Sequence, residues 1–306
     1  MKTHNSISAG VKEVAPAQPS QKKVSNNRKH SHLVKAKKEK DDEYYTRYED
    51  VVCELEHYAP FLTGKVLYCN CDDKGSAFRK VLMDKFHSWG IKKLYCSGIS
   101  GYCMEFDGIK IKEKTIDGDF RSKNSRAILD KCDVVITNPP YSLSREWFDM
   151  VISKDLIFIA NKTVISYQNF FPLIQCGHLK MGYTRPNLFY RPDGSLKKLQ
   201  GLSRWFTTFP VDKISTWMPK TKFKNQYRKF DLYPAINVDA VKEIPADYDG
   251  LMGVPITFID KIDDSFRIVD LIYRYAILDK SYGVKGRQLT EVNGKPKYSR
   301  LIIQKL

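Results

Sequence analysis

Short apolar runs alternate with stretches of helical spacing between residues 66 and 160, and this alternation constrains the fold more than any other feature. The runs that we predict to be strands span 66–71, 93–96, 133–137 and 156–160. The stretches that we predict to be helices span 76–89, 122–131 and 144–153. Strands that are apolar throughout are typical of a parallel sheet covered by helices on both faces. The pattern therefore predicts an α/β fold.

The distribution of charge divides the chain into three parts. Residues 1–40 carry ten Lys or Arg against two acids and have no apolar periodicity, which predicts a basic disordered tail. Residues 41–140 are nearly neutral, residues 141–306 are basic again, and the net charge is +16. This balance favours contact with a polyanion, and the alternative is a solvated basic surface. We expect a core at 41–184 and a basic region with the remaining core elements at 185–306.

The basic region mixes cations with aromatic side chains. Between positions 196 and 230, nine Lys or Arg accompany a single acid, Asp212, and several aromatic residues such as Trp205 and Tyr227. Basic side chains neutralise phosphates and aromatic rings stack on bases, so this composition suits a nucleic-acid face. In the alternative interpretation, the aromatic residues form the core of a small appended domain.

The tetrapeptide Asn138-Pro139-Pro140-Tyr141 directly follows the clearest predicted strand, 133–137. In an open parallel sheet, ligands bind outside the carboxyl ends of the strands, so the tetrapeptide is expected to line a cleft. Two successive prolines fix φ and lack N–H groups, which leaves carbonyl oxygens in a stiff turn. The tetrapeptide therefore predicts a rigid hydrogen-bond acceptor site, and the alternative is a purely structural turn.

Such an acceptor site suits chemistry on an exocyclic amine. That amine is a poor nucleophile because its lone pair is delocalised into the aromatic ring. The Asn138 side-chain oxygen and the Pro139 carbonyl would accept its two N–H groups and favour a tetrahedral nitrogen. Tyr141 would stack on the ring of an extruded base. The expected catalytic residues are therefore Asn138, Pro139, Pro140 and Tyr141.

The tetrapeptide resembles motif IV of the S-adenosylmethionine-dependent amino-methyltransferases, (Asn/Asp)-Pro-Pro-(Tyr/Phe). This resemblance implies a Rossmann-like methyltransferase fold, with S-adenosylmethionine as the cofactor. The acidic segment 69–75 is similar to the loop that receives the methionine part, which implies Asn70 and Asp72 as cofactor residues. By the same resemblance, Asp119 accepts from the adenine amine of the cofactor and Phe120 packs on its ring.

From residue 35 to 306 the chain resembles one subgroup, the EcoRI-type adenine-specific DNA methyltransferases. Matching segments are found in both halves of the chain: 42–46, 68–73, 118–121, 137–141, 235–238, 244–245, 247–248 and 252–255. The resemblance implies site-specific, direct methyl transfer to the N6 amine of a flipped-out adenine in duplex DNA. It implies that Tyr45 and Thr46 belong to a segment that closes over the cofactor. It also implies target-recognition elements after residue 184.

The expected DNA contacts are cations of the basic region: Arg185, Arg191, Arg204, Lys222, Lys224 and Arg228. No apolar run approaches the ~20 residues needed to cross a bilayer, so we expect no membrane contact. The expected protein is a cytoplasmic monomer, bacterial or phage-encoded, which associates with the nucleoid through DNA. Three biological roles stay open: a methyltransferase paired with a cognate restriction endonuclease, a methyltransferase that acts alone, and a phage enzyme.

No metal site is expected, because direct methyl transfer from a sulfonium needs none. The thiols of Cys69, Cys71, Cys96 and Cys103 lack nearby His partners, which favours buried free thiols. The six His residues form no pattern typical of a catalytic triad.

Four alternatives compete with the DNA methyltransferase hypothesis. The same motif serves methyltransferases of structured RNA, including RNA adenine, and of protein glutamine. A non-catalytic DNA-binding protein on the same fold and a basic structural protein of the chromatin type are the others. The basic C-terminal region disfavours glutamine modification, and the intact motif disfavours loss of catalysis. The α/β pattern disfavours the chromatin type.

Overall fold

The computed structural model describes residues 44–191, 193–199, 201, 203–212, 215–273 and 289–306. The predicted tail at 1–40 lies outside them. The strands of the described residues, in chain order, are β1 Tyr45–Thr46, β2 Val66–Cys69, β3 Lys93–Ser97, β4 Tyr102–Phe106, β5 Ile111–Thr115, β6 Val134–Thr137, β7 Asp155–Asn161, β8 Lys180–Met181, β9 Leu188–Tyr190, β10 Leu196–Lys198, β11 Ser203–Thr207, β12 Ile236–Asn237, β13 Met252–Pro255, β14 Phe266–Ile272, β15 Glu291–Val292, β16 Lys295–Pro296 and β17 Arg300–Lys305.

Short helices connect these strands. The α-helices of the described residues are α1 Tyr48–Leu55, α2 Ala59–Leu62, α3 Ala77–Asp84, α4 Lys123–Leu129, α5 Ser144–Val151 and α6 Phe171–Gln175. Single 3-10 segments occur at Glu56–Tyr58, Tyr141–Leu143, Lys162–Ser166, Val241–Glu243 and Ile256–Asp260. None of the helices in the described part of the chain has the length and apolarity that a membrane crossing requires.

The seven elements predicted between 66 and 160 are confirmed, several with shorter bounds. Two helices begin at serine caps: Ser76 accepts from the amide of Phe78, and Ser122 accepts from the amide of Ser125. An N-cap oxygen satisfies an amide that has no partner within the first turn. These caps set the starts of α3 and α4, directly after the loops that reach the candidate site.

The largest sheet has the strand order β5-β4-β3-β2-β6-β7-β11-β8. Its centre is parallel, since β3, β2, β6 and β7 pair in parallel. Its two sides are antiparallel: β4 and β5 extend it beyond β3, and β11 and β8 extend it beyond β7. The parallel sheet predicted from the four apolar strands is therefore confirmed as the centre of a larger, mixed sheet. A large mixed sheet with helices fits a methyltransferase fold.

Helices cover the two faces of this sheet in separate layers. Val134 and Ile157 belong to an apolar cluster with residues of α1 and α3, whereas Val135 and Phe158 belong to one with residues of α4, α5 and α6. Successive side chains of a strand point to opposite faces, so wholly apolar strands are buried on both sides. The alternation read from the sequence thus corresponds to a three-layer core.

The C-terminal part of the chain forms a second sheet, of order β12-β13-β17-β14. Its residues Ile236, Met252 and Leu301 are buried in the same apolar cluster as Val135 and Phe158. The described residues from 44 onward therefore belong to one compact unit. A third sheet, β1-β9-β10, brings the N-terminal segment against residues 188–198.

Candidate active site

Asn138 follows the last residue of β6, at the carboxyl end of the parallel strands. Its Nδ2 donates to the backbone carbonyl of Tyr44 at 3.0 Å and lies 3.4 Å from Oγ1 of Thr46. Because a carbonyl oxygen only accepts, the amide nitrogen must face Tyr44. This contact turns the other end of the amide, Oδ1, in the opposite direction.

The Oδ1 atom of Asn138 is buried and has no hydrogen-bond partner among the described residues. A buried acceptor left unpaired costs about 1–3 kcal/mol, and most buried polar atoms in native proteins are paired. An N–H group of a bound molecule would supply the missing partner. Asn138 is thus oriented as an acceptor awaiting a donor.

The rest of the tetrapeptide is tied to neighbouring elements. The Pro140 carbonyl accepts from the amide of Leu143 at 3.0 Å and from Oγ of Ser144, the first residue of α5, at 3.3 Å. The Tyr141 hydroxyl shares a hydrogen bond of 3.1 Å with Oγ of Ser203 on β11. Burial raises the pKa of Tyr141, so its ring stays neutral. These contacts hold the turn in one conformation.

Asp72 joins the loop after β2 to the end of β6. Its carboxylate accepts from Oγ of Ser76 and from Oγ1 of Thr137, each at 2.5 Å. Burial raises the pKa of Asp72 to about 6. Nearby, Oδ1 of Asn70 accepts from the indole Nε1 of Trp147 on α5 at 2.9 Å. Both predicted cofactor residues therefore lie at the same edge of the sheet as Asn138.

Asp119 lies in the segment between β5 and α4 and is bound by Arg121. Its two oxygens accept from Arg121 Nε at 2.9 Å and Nη2 at 2.6 Å. Partial burial opposes ionisation, yet the hydrogen bonds from Arg121 hold the pKa of Asp119 below its usual value. Arg121 also contacts Glu146 on α5 at 3.0 Å. Phe120 is buried, with the Arg121 guanidinium 5.3 Å from its ring centroid.

Two glycines allow the loops at this edge to approach closely. A Cβ placed on Gly98 would lie 2.0 Å from Oδ1 of Asp73, and one on Gly118 would lie 1.8 Å from the carbonyl of Gly98. Side chains are excluded at both positions. The loops after β2, β3 and β5 therefore converge beside Asp73.

The predicted DNA contacts divide into two groups. Exposed cations are Arg185, Arg191, Lys222, Lys224 and Arg228. Arg204, in contrast, is only 4% exposed, and its guanidinium pairs with Asp260 at 2.7 and 2.8 Å. The expectation of Arg204 as a DNA contact is wrong, because the side chain forms a buried ion pair.

Lys224 and Arg228 line a cleft together with Asn293 and Lys295. The turn of the β15–β16 hairpin is fixed, since the amides of Asn293 and Gly294 each donate to the Asp231 carboxylate at 2.8 Å. The two cations therefore share a cleft with a hairpin whose turn is held in place.

Sequence reasoning did not identify several residues of this site. Thr137, Ser76 and Ser203 are partners of predicted site residues, but single hydroxyls carry no pattern of their own. Tyr44 contributes a backbone atom, which no side chain could indicate. The predicted thiols Cys69, Cys96 and Cys103 are buried and form no disulfide within the described part of the chain, and Cys71 is half-buried.

The site thus combines an unpaired amide acceptor at the carboxyl end of a mixed α/β sheet with converging loops that carry acids, and this arrangement fits an amino-methyltransferase. The sequence profile of the family described as "Adenine-specific methyltransferase EcoRI" matches residues 32–110 and 100–306. The chain belongs to this family and is an adenine-specific DNA methyltransferase.

Curated relatives match almost end to end. Type II methyltransferase M.EcoRI of Escherichia coli is 34% identical, over 92% of this chain and 98% of the relative. Type II methyltransferase M.MpnI of Mycoplasma pneumoniae is 33% identical, over 88% and 97%. Type II methyltransferase M.MgeORF184P of Mycoplasma genitalium is 31% identical, over 90% and 98%. No solved structure matches the chain.

Proposed function

We propose that this methyltransferase transfers a methyl group from S-adenosylmethionine to the N6 amine of an adenine extruded from duplex DNA, at a specific sequence. The observation that carries the proposal is the buried, unpaired Oδ1 of Asn138, held in place by the amide's contact with Tyr44. An exocyclic amine offers the N–H that this oxygen lacks.

The chemistry of the donor set fits the cofactor. S-adenosylmethionine supplies a methyl group on a positively charged sulfonium and carries a further positive charge on its amino group. Asp72 and Asp73 have negatively charged carboxylates, opposite in sign to the cofactor, at the sheet edge where Asn138 lies. The close approach of Gly98 to Asp73 shapes this edge into a cradle that a side chain would fill. We propose that Tyr45, Thr46, Asn70, Asp72, Asp119 and Phe120 surround the cofactor.

The protein's part in the reaction is positioning. Asn138 Oδ1 and the Pro139 carbonyl would accept the two N–H groups of the adenine amine, which favours a tetrahedral nitrogen with a free lone pair. Tyr141 would stack on the base and hold it in plane. Orientation and exclusion of water lower the barrier without any covalent intermediate on the protein.

The exposed cations of the basic region would contact the DNA. Arg185, Arg191, Lys222, Lys224 and Arg228 would neutralise phosphates and position the duplex, while base edges would determine the sequence that is recognised. In this proposal the Rossmann-like core at 41–184 binds the cofactor, and residues 185–306 add target-recognition elements together with β11 and the second sheet.

The test is transfer of labelled methyl from S-adenosylmethionine to duplex DNA, with RNA and a protein extract in parallel. We expect N6-methyladenine in DNA alone, at one short sequence, and none with Asn138→Ala. Label only in RNA or protein would overturn the substrate. Tight DNA binding with no label in any substrate would favour the non-catalytic alternative.

A further inference from the structure

The orientation of the Asn138 amide depends on a strand that lies outside the main sheet. The carbonyl that receives Nδ2 belongs to Tyr44, the residue directly before β1. If this carbonyl moved or rotated, the amide would lose the contact that directs Oδ1 away from it. The position of Tyr44 therefore determines the position of the acceptor.

β1 itself is only two residues long and is held by pairing with β9. Tyr45 lies opposite Tyr190, and Thr46 lies opposite Phe189, which is fully buried. A strand this short forms few backbone hydrogen bonds with its neighbour. Side-chain contacts must therefore help to hold it in position.

Lys197, on β10, supplies such a contact. Its Nζ donates to the Tyr44 hydroxyl and lies 4.7 Å from the centroid of the Tyr44 ring. The same ring meets Phe189 edge to face, with centroids 6.3 Å apart. Lys197 lies opposite Phe189 in the β9–β10 ladder, so its ammonium is carried by a paired strand. The Tyr44 side chain is thus fixed from two sides.

We propose that Lys197 is a positioning residue for methyl transfer. It fixes the Tyr44 side chain, Tyr44 presents its carbonyl to Nδ2 of Asn138, and Oδ1 of Asn138 is thereby aligned with the target amine. This inference rests on the proposed function, because it assigns that alignment to Asn138. It gives a cation of the basic region a role other than contact with DNA.

The test compares Lys197→Met with Lys198→Met. The neighbouring Lys198 is exposed on the same short strand, so the control removes the same charge without touching Tyr44. We would measure single-turnover methyl transfer at saturating DNA and cofactor, together with both Kd values and the Tm. Misalignment of a reacting group costs up to roughly 100-fold in rate. We expect Lys197→Met to slow transfer roughly 10- to 100-fold with both Kd values nearly unchanged, and Lys198→Met to match the wild type.

A second variant separates positioning from general damage to the fold. Tyr44→Phe removes the hydroxyl that Lys197 binds and keeps the ring. If the two residues act through one contact, the double variant will be no slower than the slower single variant. Lys197→Arg, which keeps a cationic donor, should recover much of the rate.

Three results would overturn the inference while leaving the proposed function intact. They are equal rates for Lys197→Met and Lys198→Met, multiplying effects of Lys197→Met and Tyr44→Phe, and a Lys197→Met rate restored by excess DNA. A wild-type protein that transfers no methyl to DNA would instead reject the proposed function, and the inference with it.

Discussion

The carboxylate of Asp72 accepts a hydrogen bond from the hydroxyl of Thr137 at 2.5 Å and so joins the ends of β2 and β6. These strands are adjacent in the sheet, and Asn138 follows Thr137 directly. The loop proposed to hold the cofactor and the tetrapeptide that begins at Asn138 therefore share a buried connection. Because the connecting group is an acid, the connection responds to pH.

Asp72 gives a prediction about stability. Its folded pKa, about 6, exceeds the ordinary 3.8 because of burial. The folded state therefore binds this proton more tightly than the unfolded state, and protonation of Asp72 stabilises the fold at low pH. This stabilisation is lost as pH rises from about 4 to about 6. Asp72→Asn has no such titration. We therefore expect the free energy of unfolding of Asp72→Asn, relative to that of the wild type, to increase by up to about 3 kcal/mol as pH rises over this range. Urea unfolding at pH 4, 5, 6 and 7 measures the difference, and a constant difference would contradict it.

Asn138→Asp is a sharper variant than Asn138→Ala. The resembling motif accepts either Asn or Asp, but here the amide nitrogen lies 3.0 Å from the Tyr44 carbonyl. In the aspartate variant a carboxylate oxygen would face the Tyr44 carbonyl oxygen, and two acceptors repel each other instead of forming a hydrogen bond. We expect the aspartate variant to lose methyl transfer about 100-fold or more, with cofactor affinity kept. A rate within tenfold of the wild type would show that Tyr44 does not orient this side chain.

Asp119 is proposed as a cofactor residue although Arg121 already binds both its oxygens. Each carboxylate oxygen has a further lone pair, so the ion pair leaves room for another donor. We expect Asp119→Ala to weaken S-adenosylmethionine binding about tenfold, measured by calorimetry. Arg121→Ala is the matched control: it breaks the same ion pair and keeps the carboxylate. Equal losses in the two variants would assign Asp119 to structure alone.

Lys224 and Arg228 are expected to bind phosphates. Replacing both by Met should make the slope of log K against log salt shallower by about 2, with cofactor affinity unchanged. Arg204→Met is the contrast, because Arg204 pairs with Asp260 inside the protein. That variant should destabilise the fold by less than the about 3–5 kcal/mol of an uncompensated buried charge, because Lys162 still pairs with Asp260 at 3.1 Å, and it should leave the salt slope as it is. An unchanged slope for Lys224 and Arg228 would remove both from the DNA interface.

The parts of the fold that the sequence predicted are those with local signals. The strand before Asn138 is an unbroken apolar run, and the tetrapeptide carries its chemistry in four adjacent letters. β5 shows no such run, since all its residues are exposed at the edge of the sheet. β11 was not predicted from the sequence for another reason. Arg204 lies within it and indicated a surface, whereas the partner that allows its burial, Asp260, is 56 positions away.

Separation along the chain also explains which contacts of the candidate site the sequence did not predict. The position of Asn138 after a buried strand could be predicted, but the contact with Tyr44 spans 94 positions and the one between Tyr141 and Ser203 spans 62. Neither leaves a periodic trace in the sequence. The place of the tetrapeptide at the end of a strand was thus predictable, and the residues that contact it from elsewhere in the chain were not.

The antiparallel pairing of β11 with β7 has a consequence for how such an enzyme can change. β11, which follows the predicted core at 41–184, covers an edge whose residues 156–160 are all buried, and without it that edge would be free to pair with other chains. A protein cut after residue 184 would therefore be prone to aggregate rather than work as a separate cofactor-binding module. Any exchange of the second half would have to supply a strand that pairs with β7 in the same antiparallel register.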